Sequence, residues 1–315
     1  MKPAFRRLTL GSATAVLAVS LAACSSSSSS SSTTSGNSSG PTTTVAIPTT
    51  VIPTQATNAD IAATVPASIK SSGQLTVALD ATYAPDEFVA PSSTQIIGMD
   101  VDLSKAIAQT LGLKPVLINA TFDTIIPGIN SGKYDLGASS FTDTLARQKV
   151  VDFVDYFQAG EGFYVKTGSG NSFNGLDSLC GHTVSVESGT TEQSDAVAQA
   201  KKCKSEGKST VTVLAFDNQN QANLAVSSGR AQVGFADSQI AAYIVATSGG
   251  VFSNSGSAFA VAPYGLATNK GNGLATPVAA AVNALIKNGV YNQILTKWGV
   301  QSGAVTTATI NGATS

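Results

Sequence analysis

Histidine is almost absent: the 315 residues contain one, His182. Zinc sites are built from cysteine and histidine at short spacings. His182 and its near neighbour Cys180 have no third and fourth ligand at such a spacing, so no metal is expected. No Ser-His-Asp arrangement or nucleophile elbow occurs either, so nothing in the chain asks for covalent hydrolysis or a cofactor. Charge is sparse, 12 % of residues, and balanced: 18 Lys and Arg against 19 Asp and Glu, a formal net charge of −1. Without a basic excess, nucleic acid is excluded as the expected partner. Cysteine is limited to three. Beyond the first residues no run is long and apolar enough to span a bilayer, which excludes an integral membrane protein of the helical kind.

The start of the chain reads as an export signal. Lys2, Arg6 and Arg7 are followed by an uncharged, mostly apolar stretch that small polar residues dilute, which suits a cleaved signal better than a membrane span. It closes on Leu21-Ala22-Ala23-Cys24, which resembles the lipobox of bacterial lipoproteins; the resemblance implies lipid on Cys24 and a membrane anchor. The alternative is an ordinary signal cut at an Ala-x-Ala-like site. Residues 25–66 are mostly Ser, Thr, Gly, Asn and Pro. Such a composition buries too little apolar surface to offset the entropy of ordering, so a disordered tether is expected. With Cys24 lipidated, Cys180 and Cys203 remain as an even pair in an oxidising compartment, and a disulfide between them is expected. The alternatives are two free thiols or a metal pair with His182.

From residue 74 onward strand and helix patterns alternate. Residues 75–79 and 116–118 are β-prone. Between them 102–111 reads as a helix, with Leu103, Ala106, Ile107 and Leu111 on one face, Asp102 at its start and Gly112 at its end. Helix is expected over 122–130 and strand over 134–138. A second series follows: strands at 183–186, 211–214 and 231–236, and helices at 190–206, 218–227 and 238–247. Residues 276–298 again carry apolar side chains at helical spacing. Two β-α series predict two α/β lobes, with ligands at the carboxyl ends of their strands.

Four ordered blocks resemble the family 3 extracellular solute-binding proteins. They are Asp80-Ala81-Thr82-Tyr83-Ala84-Pro85; residues 98–108, beginning Gly98-Met99-Asp100; Phe122-Asp123 with Ser131-Gly132-Lys133-Tyr134-Asp135; and Thr142 to Arg147 with Val151-Asp152-Phe153. Asp86 stands where the family commonly has an aromatic residue. The resemblance implies a two-lobe periplasmic-binding-protein-like α/β fold joined by two crossing strands. Lobe 1 would comprise 67–161 plus 264–300 and lobe 2 162–263, with 301–315 a C-terminal tail. It further implies a monomeric receptor that delivers a small polar amino acid to the permease of an ABC transporter, not an enzyme.

By the same resemblance Arg147 grips the ligand carboxylate, helped by Ser139, Ser140 and Thr142, while Asp237 accepts from its ammonium. Thr190 and Thr191 give backbone N–H groups at a helix start, and Tyr83 and Phe122 sandwich the ligand's stem. Asp80 and Glu187 line the side-chain pocket, where extra carboxylates favour a basic side chain. Each residue has a plainer reading. Arg147 as a surface partner of Asp152 or Asp155, Asp237 as a helix N-cap, Tyr83 and Phe122 as core, and Asp80, Asp86, Asp143 and Glu187 as solvated charges would all be ordinary. Two other functions fit the same fold: a dehydratase acting on a cyclic carboxylate, and a sensory ligand-binding surface protein.

Overall fold

The computed structural model describes residues 46–314. The export signal, Cys24 and the first part of the serine-rich stretch lie outside them. Two short helices, α1 (Ala59–Ala63) and α2 (Ala67–Ser72), lead into strand β1 (Gln74–Leu79). A small antiparallel sheet follows, formed by β2 (Thr82–Tyr83), β3 (Glu87–Val89) and β4 (Ile96–Ile97). Helix α3 (Met99–Thr110) then begins at Gly98, whose φ of +145° and whose contact with the Asp86 carbonyl leave no room for a side chain. It is followed by β5 (Lys114–Asn119), α4 (Phe122–Asn130) and β6 (Leu136–Gly137).

A long strand, β7 (Val151–Lys166), carries the chain into a second α/β series. That series runs β8 (Thr183–Glu187), α5 (Thr191–Ser205), β9 (Thr212–Phe216), α6 (Gln219–Ser227), β10 (Val233–Asp237) and α7 (Ser238–Thr247). A second long strand, β11 (Phe252–Asn269), returns, and α8 (Ala275–Lys287), α9 (Val290–Trp298) and β12 (Ala304–Ile310) complete the chain.

Among the described residues the main sheet has the order β5-β1-β6-β11-β7-β10-β8-β9, with β12 paired to β7. β1 pairs parallel with β5 and β6, and β8 parallel with β9 and β10. β7 and β11 run antiparallel through both halves. Along β7 the outer neighbour changes: β12 covers Val154 to Phe157 and β10 covers Glu161 to Tyr164. The register between β7 and β11 shifts around Phe259 and Ala262, between the two halves. Each half has its own apolar core. One gathers Leu75, Leu103, Ile107, Val282, Tyr291 and Trp298; the other gathers Phe163, Phe173, Val184, Val233 and Phe235.

Four expectations need correction. Ordered structure begins well before residue 67. Ile52 packs on the first core, the Gln55 N–H donates to Gln109 Oε1 (2.8 Å), the Asn58 N–H donates to the Thr110 carbonyl (2.9 Å), and the Asn58 side chain caps α1. Widely spaced apolar residues suffice once they have a formed surface to lie on. The stretch after residue 300 contains β12, because β7 offers it an open edge. The helical pattern over 276–298 is two helices, separated at Gly289 with φ +84°. Helix α3 begins at Met99, three residues earlier than expected, and Asp102 lies in its first turn, where it accepts from Trp298 Nε1 (2.9 Å) and pairs with Lys297 (2.8 Å).

Cys180 and Cys203 are bonded, with their Cα atoms 5.7 Å apart, and tie the entry to β8 to the last turns of α5. Their separation of 23 residues predicts that the Cys180→Ser, Cys203→Ser double variant loses about 3 kcal/mol of unfolding free energy on the chain-entropy account. Denaturant unfolding of both proteins under oxidising conditions checks this, and equal stability would refute it.

Candidate functional site

The polar side chains of one cavity stand at the carboxyl ends of the parallel strands. Asp80 follows β1, Phe122 opens the helix after β5, Ser139 and Ser140 follow β6, Glu187 ends β8 and Asp237 ends β10. Strand ends in both halves thus aim at one gap, as open α/β sheets dictate. The cavity is narrow and is lined by these six residues together with Tyr83, Thr142, Arg147, Thr190, Thr191 and Glu192.

Arg147 lies in a short 3-10 turn, Arg147–Lys149. Its Nη1 donates to the Thr142 carbonyl (2.7 Å) and its Nη2 to the Gly189 carbonyl (3.0 Å). Its guanidinium carbon is 5.6 Å from the ring centres of both Phe122 and Phe141, which stack on each other at 4.5 Å. Two carbonyls and two aromatic faces hold the fork in place without neutralising it. Burial lowers its pKa, against the pull of the Glu192 and Asp237 carboxylates. A guanidinium stays charged regardless.

Asp237 occupies the N-cap position of α7, yet its side chain makes no cap bond. Instead Tyr83 Oη donates to Asp237 Oδ2 (2.7 Å) and receives the Asp237 backbone N–H (3.1 Å). Asp80 accepts from Thr82 Oγ1 (2.7 Å) and from the Phe122 N–H (3.1 Å), and it shares a hydrogen bond with Glu187. Glu187 Oε1 and Glu192 Oε1 are buried without a protein partner. Thr190 caps α5, receiving the Gln193 N–H on its Oγ1 (3.1 Å). The first N–H groups of that helix lack intrahelical acceptors.

The two walls touch at several points around the cavity. The Tyr83–Asp237 bond is one, and Gln239 Nε2 donates to Asp86 Oδ2 (3.1 Å) as another. The Gln219 N–H donates to Thr82 Oγ1 (3.2 Å), and the Thr142 and Thr191 hydroxyls lie 3.3 Å apart. Gly189, with φ +83°, lies so close to Asp123 that a Cβ there would be 2.9 Å from the Asp123 Cβ.

Behind the cavity is a layer of fully buried carboxyls. Asp86 accepts from Ser140 Oγ (2.9 Å), Glu87 from Ser139 Oγ (2.8 Å), and Asp100 from the Ser140 N–H (2.9 Å) and Tyr156 Oη (2.5 Å). Burial above all, and then repulsion among the acids, raises Asp86 to about 7 and Glu87 well above the usual range. Burial likewise holds Asp100 at about 6. Within the cavity burial raises Glu192 to about 8, assisted by Asp237, and raises Asp237 to about 7. Burial and then Asp80 push Glu187 well up.

All eleven ligand-site residues expected from the sequence line this cavity. Arg147 is not partnered by Asp152, which pairs with Lys270, and Asp80, Asp86, Asp143 and Glu187 are buried rather than solvated. One role is corrected. Ser140, at φ +50°, was expected to offer donors to a ligand, but both its N–H and its hydroxyl are engaged by Asp100 and Asp86. Glu192 was missed, although its place in the first turn of α5, directly after Thr190 and Thr191, was a signal that could have found it. His182 packs edge-on against Phe173, and no cluster fit for a metal occurs among the described residues.

Two α/β halves joined by two long strands, with a polar cavity at their junction, define a receptor of the periplasmic-binding type. The chain belongs to the bacterial extracellular solute-binding proteins, family 3, which match residues 75–301. The arginine-binding protein ArgT of Corynebacterium glutamicum is 33 % identical over 253 residues, covering 80 % of this chain and 83 % of ArgT. An ancestral arginine-binding protein solved with arginine is 36 % identical at a TM-score of 0.66, covering 72 % of this chain and 98 % of that one. The ancestral amino acid-binding protein AncCDT-1, a precursor of cyclohexadienyl dehydratase, is 32 % identical at a TM-score of 0.66, covering 73 % and 97 %.

The raised carboxyls fix a sign for stability against pH. In an unfolded chain these groups titrate near 3.8 for Asp and 4.5 for Glu, whereas Asp100, Asp86, Asp237 and Glu192 hold their protons to about 6, 7, 7 and 8. The folded state therefore binds more protons, and its stability falls as pH rises from about 4 to about 8. The melting temperature of the ligand-free protein should be higher at pH 5 than at pH 8; a higher value at pH 8 would refute the assignment.

Proposed function

We propose that the protein is the receptor of an ABC importer for a basic amino acid, with L-arginine the best candidate, exported and held at the membrane by lipid on Cys24. The observation that carries the reading is a charge count: four carboxyls, Asp80, Glu187, Glu192 and Asp237, face the cavity with one cation, Arg147. A neutral amino acid brings equal numbers of each sign. A basic one brings a second positive charge, which is what the surplus of carboxyls requires. The likeness to ArgT, an arginine-binding protein, supports the same choice.

In this reading Arg147 takes the ligand α-carboxylate with the N–H groups that Thr142 and Gly189 leave free, aided by the backbone at Thr191 and Glu192. Asp237, oriented by the Tyr83 hydroxyl, takes the α-ammonium. Asp80 and Glu187, already hydrogen-bonded to each other, take the distal cation in place of a shared proton. Contacts from both walls make the ligand favour the closed form, which the permease then reads. The dehydratase alternative needs a proton donor in the cleft, and the raised Glu187 and Glu192 could supply one. The ligand they are charged to hold is a cation rather than a carboxylate, so the protein is read as returning its ligand unchanged.

Calorimetry against the twenty amino acids tests this. L-Arginine should bind most tightly, with lysine and ornithine next. Arg147→Met should weaken all of them by about 3–5 kcal/mol, because it leaves a buried carboxylate unpaired. Asp80→Asn with Glu187→Gln should cost arginine far more than glutamine. Tight glutamate capture with no binding of basic amino acids would overturn the proposal.

A further inference from the structure

The segment that carries Arg147 is held by few side chains: Thr144 Oγ1 receives the Arg147 N–H (3.2 Å), Lys270 Nζ donates to the Gln148 carbonyl (2.7 Å), and Asp143 grips Gln148. The family match ends at residue 301, so β12 and the turn after it lie beyond it. Between Phe141 and β7 the loop is anchored at its start, where Thr142 bridges to Tyr264 and the Asp143 N–H donates to the Pro263 carbonyl (2.8 Å). Leu145, next along, is 47 % exposed, so little packing holds the loop there. The Asp143 side chain, by contrast, is buried, and Gln148 Nε2 donates to both of its oxygens at 2.9 Å. Asp143 and Gln148 thus clasp the turn on either side of Arg147.

That clasp is fastened from outside by the chain's C-terminal segment. The Ala313 N–H donates to Asp143 Oδ2 (3.1 Å). The Gly312 N–H (2.8 Å) and Thr309 Oγ1 (3.1 Å) donate to Asp155 Oδ2 on β7, and the Asp155 carboxyl shares a hydrogen bond with Asp143. Asn311, in the left-handed region at φ +53°, locks the turn to β7. Its N–H donates to the Phe153 carbonyl (3.0 Å), its Oδ1 receives the Phe153 N–H (2.8 Å), and its Nδ2 donates to Asp152 Oδ1 (3.0 Å). A Cβ at Gly312 would sit 2.4 Å from Asp155 Oδ2 and 2.7 Å from Thr309 Oγ1, so a side chain there must displace these groups.

We propose that residues 309–313 are a positioning element for Arg147, acting through the Asp155 and Asp143 carboxyls. The inference rests on the reading that Arg147 grips the ligand's α-carboxylate. The segment itself touches no ligand. It sets where the guanidinium stands, so its loss weakens binding only of ligands that carry the carboxylate.

The test uses L-arginine and agmatine, the same molecule without its carboxylate, titrated into the intact protein, a chain ended after Ile310, and Gly312→Ala. The point variant leaves β12 and the chain length untouched, should the shortened chain fold poorly. Calorimetry reads arginine, and NMR titration reads the weaker agmatine. Both variants should lose about tenfold in arginine affinity, the scale of one weakened hydrogen bond to a charged group, with agmatine affinity unchanged. Unchanged arginine affinity, or equal losses for the two ligands, overturns the proposal. Arg147→Met, measured alongside, separates the two levels. If it too weakens arginine and agmatine equally, the reading of Arg147 fails; if it discriminates between them and the C-terminal variants do not, only the positioning role fails.

Discussion

The structure depends on a shortage of positive charge in its interior. Ten Asp and Glu side chains are buried, and among the described residues none of them forms an ion pair. Burying a carboxylate without a counter-charge is costly, so such groups take up protons instead. Serine and tyrosine hydroxyls and the Ser140 N–H satisfy part of the layer formed by Asp86, Glu87 and Asp100. Satisfaction is incomplete both there and in the cavity: Asp86 Oδ1 and Glu87 Oε2, like Glu187 Oε1 and Glu192 Oε1, have no protein partner. The arrangement makes chemical sense for a site whose missing counter-charges arrive with its ligand.

The same constraint couples binding to closure. Asp237 belongs to one wall and is oriented by Tyr83 from the other; Arg147 belongs to one wall and donates to Gly189 on the other. The walls are joined through β7 and β11, whose register irregularities around Phe259 and Ala262 fall where one half gives way to the other. Long paired strands with a local irregularity can bend there while each half keeps its own core. On the proposed reading, a cation held between Asp80 on one side and Glu187 on the other stabilises only the arrangement in which both are near it.

Much of this was legible in the sequence for identifiable reasons. α4 matches its expected span because its apolar periodicity is strong, and α7 because its apolar run is bounded by polar residues, Asp237 and Ser238 before it and Thr247 and Ser248 after. That these residues line one cavity was legible because they sit in short blocks at strand ends. What the sequence hid was long-range. β7 and β11 lack a clean period of two because they pass from one half to the other. β12 reads as a polar Thr-rich tail and becomes a strand only because an edge of β7 is open to it. The protonation of Asp86, Glu87 and Asp100 follows from their convergence in space, which spacing along the chain does not reveal. The role of Ser140 was misread for the same reason.

Proton exchange on binding reports most directly on the central claim that ligand cations replace protons on cavity carboxyls. Asp237 is faced by Tyr83, Tyr264, Asp86 and Arg147, and Glu192 by Asp237, Arg147 and Thr191. Near neutral pH both carboxyls, raised to about 7 and 8, are part-protonated, and a bound cation favours their ionised forms. Titrating L-arginine at pH 7 in two buffers of different ionisation enthalpy measures the exchange. The account predicts net proton release, with affinity rising between pH 5 and pH 8. Arginine binding with no proton exchange, or with proton uptake, would contradict it.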